Sequence, residues 1–470
     1  MEEQEERRLR QDAEITGERA AVISKAKLDS AVRRGIGEGR NRARRQNFLR
    51  IAGGGLAFAA ALLLMLTVLR PAGDFGPDAP ESAQQDWGTF EVFREKAEGD
   101  MKLTGILNRG AVVPLNGTIQ KNGYTVTLKG AAADSRSMIL LYSVKNDTAQ
   151  PALIDGSAVE YPKGLRAATS YSGDVRLQSG ETSYHTLSVS RTGKIEESSM
   201  TSVLNLIVTQ DTPEALISSS WKYRTEIAVP FELDLRALSA GERTTEYDRV
   251  LTVDGQRIHV RRTVVTPIAT YVDVAYDKGN TKQIFGLIRS RLIAESGGRN
   301  EELAWLGSSS ISETDTEESL EFESAASPDI DSLTLAIDGI SALDRDKLTL
   351  VVDTDAMRVI KAPDSRISLE PAGTEYGKGY IAFKRTGGTP TGMAANMQLD
   401  YTFTDGNGVE HSSEGGGQSG TVSYSQTDAD GAEVSLEYVY IGEKKWPQPL
   451  SFHIVHYPNP IMEAVKVRID

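Results

Sequence analysis

The sequence predicts a mainly β protein, in which a cytoplasmic helix and one transmembrane helix precede tandem antiparallel, immunoglobulin-like β-sandwiches. Three observations predict this arrangement. Residues 51–69 form a run without any charged side chain. The residues before this run are rich in Glu, Arg, Ala and Lys, which favour helix. After residue 115, apolar residues recur at every second position, as in half-buried strands, and loops rather than helices connect these runs.

The uncharged run is long enough to cross a bilayer. As a helix, residues 51–69 would span roughly 28 Å, close to the roughly 30 Å of a hydrocarbon core. Arginines crowd its N-terminal side and acids its C-terminal side, so the positive-inside rule predicts a cell-membrane protein with a cytoplasmic N-terminus and an extracellular C-terminal region. A cleavable signal peptide is disfavoured by the 50 preceding residues. A buried core helix is disfavoured because the run has no polar face.

Charge and cysteine content narrow the possible function classes. Residues 1–50 hold 13 Lys+Arg and 9 Asp+Glu, a net charge of +4, whereas the other 420 residues hold 39 and 57, a net charge of −18. A basic excess beside a membrane helix favours contact with anionic lipid, and the acidic remainder disfavours nucleic acid. Since the chain has no cysteine, thiolate catalysis and cysteine-based zinc sites are excluded.

The basic arm, residues 1–50, holds the candidate partner-binding residues. They follow one side of a predicted helix and comprise Leu28, Val32 and Ile36, with Arg33, Arg34 and Arg40 beside them. So few large apolar side chains cannot build a core. The arm is therefore either a solvated helix or a segment that orders on a partner. The alternative is a flank of the membrane helix that binds nothing.

Residues 70–115 are predicted to form a linker and a juxtamembrane helix. Residues 70–86 are rich in Pro, Gly and acid, which is typical of a spacer. Beyond them, Phe90, Phe93, Ala97 and Met101 recur at helical spacing. We therefore expect a helix that docks on the following sheet through all four side chains.

The rest of the chain is predicted to form three β-sandwiches, over residues 116–236, 237–355 and 356–470. Strands joined by loops imply antiparallel pairing. Pro230 cannot donate to a strand ladder, which predicts that its strand lies at a sheet edge. A turn pattern around Gly123 returns at Gly255, so we expect the first two sandwiches to be a structural repeat.

No residue pattern predicts catalysis, a cofactor or a metal. His453 and His456 lie three apart on a predicted strand, which puts them on opposite faces, so they cannot grip one metal there. The acids around Asp428 do not follow EF-hand spacing. The glycines at 415–417 lack the Lys and Ser/Thr of a phosphate loop. An enzyme is disfavoured, although a pair of glycosidase carboxylates among the 66 acids stays open.

One resemblance to a known family follows from the arm and the first strands. The run LDSAVRRGIGEGR from Leu28 to Arg40, followed by arginines and one membrane helix, resembles the start of certain bacillar single-pass membrane proteins. These are described as negative effectors of extracytoplasmic-function sigma factors. The segment from Phe93 to Asn146 is similar to that family's juxtamembrane extracellular domain. The resemblance implies an anti-sigma-factor-like regulator whose short arm contacts a sigma factor through one or two helices.

Two function hypotheses follow. The first is a single-pass membrane signalling regulator, in which an extracellular sensor region detects a cell-envelope ligand and couples it to a cytoplasmic sigma factor. The second is a membrane-anchored structural or adhesive protein of the cell surface with no cytoplasmic partner. Under either hypothesis we expect contact with the lipid bilayer and none with nucleic acid. Gly53 with Ala57, and Gly55 with Ala59, permit a homodimer through the membrane helix.

Overall fold

The structure, a computed structural model, describes residues 85–160, 166–171, 175–192, 199–212, 215, 221–234, 238–239, 241–310, 316–371, 379–387, 396–413, 421–427 and 433–469. The predicted arm, the uncharged run 51–69 and the linker up to residue 84 lie outside these residues. Within them, no helix is long and apolar enough to cross a membrane. The described chain is mainly β, as the sequence predicts, and its sheets are built from antiparallel pairs.

The described chain begins with a helical segment that the structure divides into three parts. They are a 3-10 turn Gly88–Phe93, helix α1 Arg94–Ala97 and helix α2 Met101–Asn108. We call residues 88–108 the helical clasp. Two further 3-10 turns span Trp221–Tyr223 and Arg345–Lys347.

The helical clasp is broken where the sequence predicts one continuous helix. Gly99 has a φ of +84°, in the left-handed region that favours glycine. Asp100 then caps α2, because its side chain accepts a hydrogen bond from the Leu103 amide at 2.9 Å. The break changes the phase of α2, so Met101 is 58 % exposed whereas Leu103 and Ile106 are buried. The expectation that Met101 docks on the sheet is therefore wrong.

Sheet pair 1 encloses the first apolar core. Its strands are β1 Val113–Lys121, β2 Tyr124–Ala133, β3 Ser137–Asn146, β4 Ala152–Glu160, β5 Arg166–Tyr171, β6 Val175–Leu177, β7 Thr182–Thr192, β8 Ser199–Gln210 and β9 Arg224–Asp234. One sheet has the order β1-β2-β3-β7-β5 and the other β6-β4-β8-β9. Buried and exposed residues alternate along β9, which lies at an edge of its sheet. The edge position predicted from Pro230 is confirmed.

Sheet pair 2 encloses a second core. Its strands are β10 Arg243–Val253, β11 Gln256–Val265, β12 Ala269–Tyr276, β13 Lys282–Ile288, β14 Arg291–Ser296, β15 Arg299–Leu303, β16 Trp305–Ser310, β17 Glu317–Glu323 and β18 Ser332–Asp344. One sheet has the order β10-β11-β12-β17-β16, and the other joins β13 and β14-β15 to β18.

Sheet pair 3 encloses a third core, and the chain then returns to sheet pair 2. Its strands are β19 Thr349–Asp353, β20 Arg358–Lys361, β21 Ile367–Pro371, β22 Tyr380–Thr386, β23 Gln398–Thr404, β24 Glu410–Ser412, β25 Thr421–Thr427, β26 Glu433–Tyr440 and β27 Leu450–His456. The last strand, β28 Pro460–Arg468, pairs with β18. This pairing differs from a sequential division at residue 355, because β19 belongs to sheet pair 3 and β28 completes sheet pair 2.

The first two sheet pairs begin with the same hairpin. The turn between β1 and β2 has φ values of 50° at Asn122 and 81° at Gly123, and the turn between β10 and β11 has 49° at Asp254 and 72° at Gly255. Two-residue turns of this kind match the twist of antiparallel strands. In both sheets a third strand follows directly and pairs with the second. These shared features are those expected of a repeat.

Candidate functional site

The helical clasp packs on sheet pair 1 and sheet pair 2 together. One buried apolar cluster contains Phe93, Ala97, Leu103, Ile106 and Leu107 of the clasp, Ala132, Ile139 and Leu141 of sheet pair 1, and Val264, Ile268, Ala269 and Tyr271 of sheet pair 2. Each fully buried Leu, Ile or Phe contributes roughly 2 kcal/mol. The two sheet pairs and the clasp therefore share one core, which we call the junction.

Charged side chains fasten the clasp to both sheet pairs. The Lys102 ammonium donates to Glu321 Oε1 on β17 at 2.5 Å and to Ser137 Oγ at the start of β3 at 3.2 Å. Directly after α2, the capping residue Arg109 donates through Nε to the Pro267 carbonyl oxygen at 2.9 Å. A shift of sheet pair 2 relative to sheet pair 1 would break contacts of the clasp.

The first described residues are tied to the far end of the clasp. Trp87 Nε1 donates to Asn108 Oδ1 at 2.9 Å. The Arg94 guanidinium lies 4.0 Å from the centre of the Trp87 ring and donates to the Gln85 carbonyl oxygen at 2.9 Å. The residues that directly precede the helical clasp are therefore fixed to it.

Beneath the clasp, an ion pair joins β12 to the loop between β2 and β3. Arg136 donates two parallel hydrogen bonds to Asp273, at 2.6 and 2.7 Å, and a third to Ser319 Oγ at 2.9 Å. Arg262 donates to the same carboxylate at 2.5 Å. Burial acts to raise the pKa of Asp273, but the hydrogen bonds from Arg136 and Arg262 outweigh it, so that pKa is lowered. The carboxylate therefore stays charged although it is 2 % exposed.

A second buried carboxylate, Asp134, crosses the same junction. Its Oδ2 accepts from the Tyr271 hydroxyl at 3.0 Å and from Thr266 Oγ1 at 2.8 Å. Its Oδ1 accepts from the amides of Arg136 and Ser137 at 2.7 and 2.6 Å, which fixes the turn that carries Arg136. Burial, together with the charge of Asp134, raises the pKa of Tyr271 well above its ordinary value. The tyrosine therefore remains a hydrogen-bond donor.

Both buried carboxylates of the junction lie in networks of hydrogen bonds. They are held by arginine, tyrosine, threonine and backbone donors, whose hydrogen bonds fix one geometry. No group of three acid or histidine side chains in the described part of the chain could hold a metal ion. The buried ion pair and the Asp134 hydrogen bonds therefore join sheet pair 1 to sheet pair 2 through side chains that leave little room for water.

The predicted partner-binding residues Leu28, Val32, Ile36, Arg33, Arg34 and Arg40 lie outside the described residues. Sequence reasoning missed the junction, although two signals were present. Asp273 stands in a strand that is apolar on both faces, because Tyr271 and Ala275 share its face and Val272 and Val274 occupy the other, and such a strand is buried on both sides. Asp134 and Arg136 lie between two apolar strands. A buried charge needs a partner, so Asp134, Arg136 and Asp273 could have been predicted as candidate site residues.

Comparison with known proteins gives little further information. Neither a known family model nor a curated protein matches the sequence. Among solved structures, a conserved domain protein from Bacillus anthracis aligns at 11 % identity with a TM-score of 0.34, covering 53 % of this chain and 85 % of that chain. The CupB2 chaperone from Pseudomonas aeruginosa aligns at 9 % identity with a TM-score of 0.15, covering 44 % and 91 %. Scores this low carry no argument about function.

Proposed function

We propose that this chain is a single-pass membrane signalling regulator that resembles anti-sigma factors. In this proposal residues 51–69 cross the cell membrane, and the three sheet pairs are tandem immunoglobulin-like β-sandwiches outside it. The cytoplasmic arm, residues 1–50, holds a sigma factor. The ectodomain meets an envelope signal, and the arm changes its hold on the sigma factor in response.

The observation that supports transmission is the position of the helical clasp. It is the first described element after the predicted linker, and its buried face packs on both of the first two sheet pairs. Lys102 bonds to both of them, and Arg109 bonds to the second. A ligand that changes the angle between the two sheet pairs would therefore change the clasp, because packed interfaces deform by switching rather than by gradual bending.

The proposed sigma-factor contact rests on the arm and on the family resemblance. On a helix, the spacing of Leu28, Val32 and Ile36 would place them in one narrow apolar stripe with arginines beside it. An apolar stripe of this kind docks in a groove of a partner, and the arginines suit acidic residues at the rim. A short arm can order on such a partner without forming a core of its own.

The second candidate function is a membrane-anchored surface protein. The junction supports this second candidate in one respect. A buried ion-pair network and a shared core between consecutive sheet pairs also suit a rigid stalk. In that function the arm would serve only topology, and changes in its apolar stripe would have no effect on transcription.

The two candidates are separated by capture of a sigma factor on the full-length chain. Crosslinking in cells, followed by purification of the chain, is expected to recover a sigma factor. Leu28→Asp together with Val32→Asp should abolish the recovery, because the charges destroy the apolar stripe. Leu9→Asp, a similar change elsewhere in the arm, is the matched control and should retain it. Absence of any sigma factor from the wild-type capture would overturn the regulator proposal.

A further inference from the structure

Sheet pair 2 has open strand edges at β16 in one sheet and at β13 in the other. Among the described strands, β16 pairs only with β17 and β13 pairs only with β18. At the opposite edges β10 packs beside β28, where the Tyr247 hydroxyl donates to the Ile469 carbonyl oxygen at 3.0 Å. The edges at β16 and β13 therefore carry main-chain donors and acceptors that no described strand uses, a feature that invites pairing with another extended chain.

A cleft of about 450 Å³ lies at these open edges. Its walls are β13, the ends of β16 and β17, and the end of β27 from sheet pair 3. Among the described residues that line it, two are acids, Glu317 and Glu318, and none is Lys or Arg. The cleft therefore favours a cationic group by charge.

On β16, the face that continues the core of sheet pair 2 carries polar side chains. Ser308 lies opposite Leu320, which is fully buried in the core of sheet pair 2, and Ser310 lies opposite Glu318. Residues directly opposite in an antiparallel pair share a face. Hydroxyl groups and a carboxylate thus take the positions that would otherwise be filled by apolar side chains, so the core ends and a polar surface begins.

Glu318 is held in place by a buried neighbour. The Tyr276 hydroxyl donates to Glu318 Oε2 at 2.5 Å. Burial, with the charge of Glu318, raises the pKa of Tyr276 well above its ordinary value, so the hydroxyl keeps its proton. One carboxylate oxygen is thereby fixed at the wall of the cleft.

The third wall adds an aromatic surface. The His456 ring lies 5.6 Å from the Phe285 ring, and its Nδ1 donates to the Asn396 carbonyl oxygen at 2.9 Å. Burial, with the positive charge of Arg385, lowers the pKa of His456 and outweighs the hydrogen bond to Asn396, so the ring stays neutral. His453 lines the same cleft, so the expectation that the two histidines lie on opposite faces is wrong. The register of β27 with β23 shifts between the pairs His456–Gln398 and Ile454–Leu399, and the extra residue, Val455, interrupts the alternation.

We infer that this cleft binds an extended peptide segment that carries a cationic side chain. The peptide pairs with the outer edge of β16, along which no second described strand lies, and its ammonium or guanidinium group meets Glu318 on the inner face, with Glu317 beside it at the start of β17. Main-chain pairing with a sheet edge gives affinity, and a pocket for alternate side chains gives selectivity. This inference goes beyond the proposed function, since it requires neither the membrane topology nor a cytoplasmic partner.

The binding test uses the full-length chain in a neutral detergent and three labelled hexapeptides, with fluorescence anisotropy as the readout. The first peptide alternates valine and lysine, the second replaces lysine by glutamate, and the third is the first with methylated backbone nitrogens. We expect saturable binding of the first peptide only. Methylation removes main-chain donors but leaves the charges, so binding of the third peptide would contradict strand pairing. Equal binding of the glutamate peptide, or no saturable binding of the lysine peptide, would overturn the inference.

A matched pair of variants locates the binding. Glu317→Gln together with Glu318→Gln should weaken binding of the lysine peptide at least tenfold, because the cation loses its partners. Glu301→Gln together with Glu302→Gln makes the same charge change on exposed positions of β15, outside the cleft, and should leave the affinity unchanged. Circular dichroism checks that all variants are folded. Equal weakening by both pairs, or by neither, would place the peptide elsewhere and refute the assignment.

Discussion

The ion pair between Arg136 and Asp273 provides the sharpest test of the junction. Arg136→Ala removes two hydrogen bonds to the Asp273 carboxylate and one to Ser319. The side chains of Arg136 and Asp273 are 14 % and 3 % exposed, so water replaces little of what is lost. The variant should therefore loosen the contact between sheet pair 1 and sheet pair 2.

The expected loss of stability follows from these contacts. Removal of one partner of a buried ion pair costs about 3–5 kcal/mol. Asp273 keeps the hydrogen bond from Arg262, so its charge is not left without a partner. We therefore expect a loss of about 3 kcal/mol, at the lower end of that range. The pKa of Asp273 is lowered in the folded protein, so the stability that the pair contributes is present above the ordinary pKa of Asp and disappears as the pH falls through the folded value.

Urea denaturation of the full-length chain in detergent, followed by circular dichroism, measures this loss. Arg299→Ala, on the exposed strand β15, is the control and should change the free energy of unfolding by less than about 0.5 kcal/mol. In a double-mutant cycle with Asp273→Ala, the two losses should not add, because each variant removes the same interaction. A loss below about 0.5 kcal/mol for Arg136→Ala, or full additivity in the cycle, would refute the reasoning.

Three further predictions concern a close strand contact, a buried acid and the topology. Gly339→Ala should lower the free energy of unfolding by about 1–3 kcal/mol, because a Cβ there would lie 2.1 Å from the Ile461 carbonyl oxygen of β28. Thermal denaturation measures this loss, and an unchanged midpoint would contradict the pairing of β18 with β28. Burial raises the pKa of Glu437 from 4.5 to about 7, although a hydrogen bond from the Leu399 amide acts to lower it. The folded state therefore holds this proton longer than the unfolded state, and stability falls as the pH rises through that interval, by about 3 kcal/mol from this residue. Glu437→Gln should remove this fall, and an unchanged dependence of unfolding on pH would refute it. Because the chain has no cysteine, the single variants Ser24→Cys and Ser179→Cys each place one thiol whose side of the membrane can be tested. A membrane-impermeant maleimide should label residue 179 in intact cells and residue 24 only after permeabilisation. The reverse pattern would contradict the proposed orientation.

Local patterns predicted the local parts of the fold. Alternation identified the strands, and Pro230 identified an edge strand because a missing amide proton acts at the residue itself. The two-residue turn at Gly255 could be predicted for the same reason, because the signal lies in the residues that form the turn. These features depend on nearest neighbours along the chain, which one sequence contains in full.

Features set by distant contacts were not predictable. The strand Pro460–Arg468 resembles the other strands in composition, and nothing within it indicates that it pairs with β18 rather than with a strand of sheet pair 3. Met101 fits an apolar stripe, but Gly99 and Asp100 end one helix and begin another, which turns Met101 toward solvent. An apolar stripe that is extended across such a helix break assigns the wrong residue to the buried face.

The junction was predictable only in part. An aspartate within the apolar run of β12 indicates a buried charge, but it does not indicate that Arg136, 137 positions away, is its partner. That pairing depends on how two sheet pairs pack, which requires coordinates. The cleft beside β16 is likewise invisible in the sequence, because its walls come from two sheet pairs.

The central claim is that the junction and the cytoplasmic arm act on the same output. The most direct measurement is sigma-factor-dependent transcription in cells that carry the wild-type chain, a deletion, or Arg136→Ala at equal membrane abundance. The account predicts that the deletion raises transcription and that Arg136→Ala also shifts it, although the arm is intact. Transcription that is identical in all three strains would contradict the account.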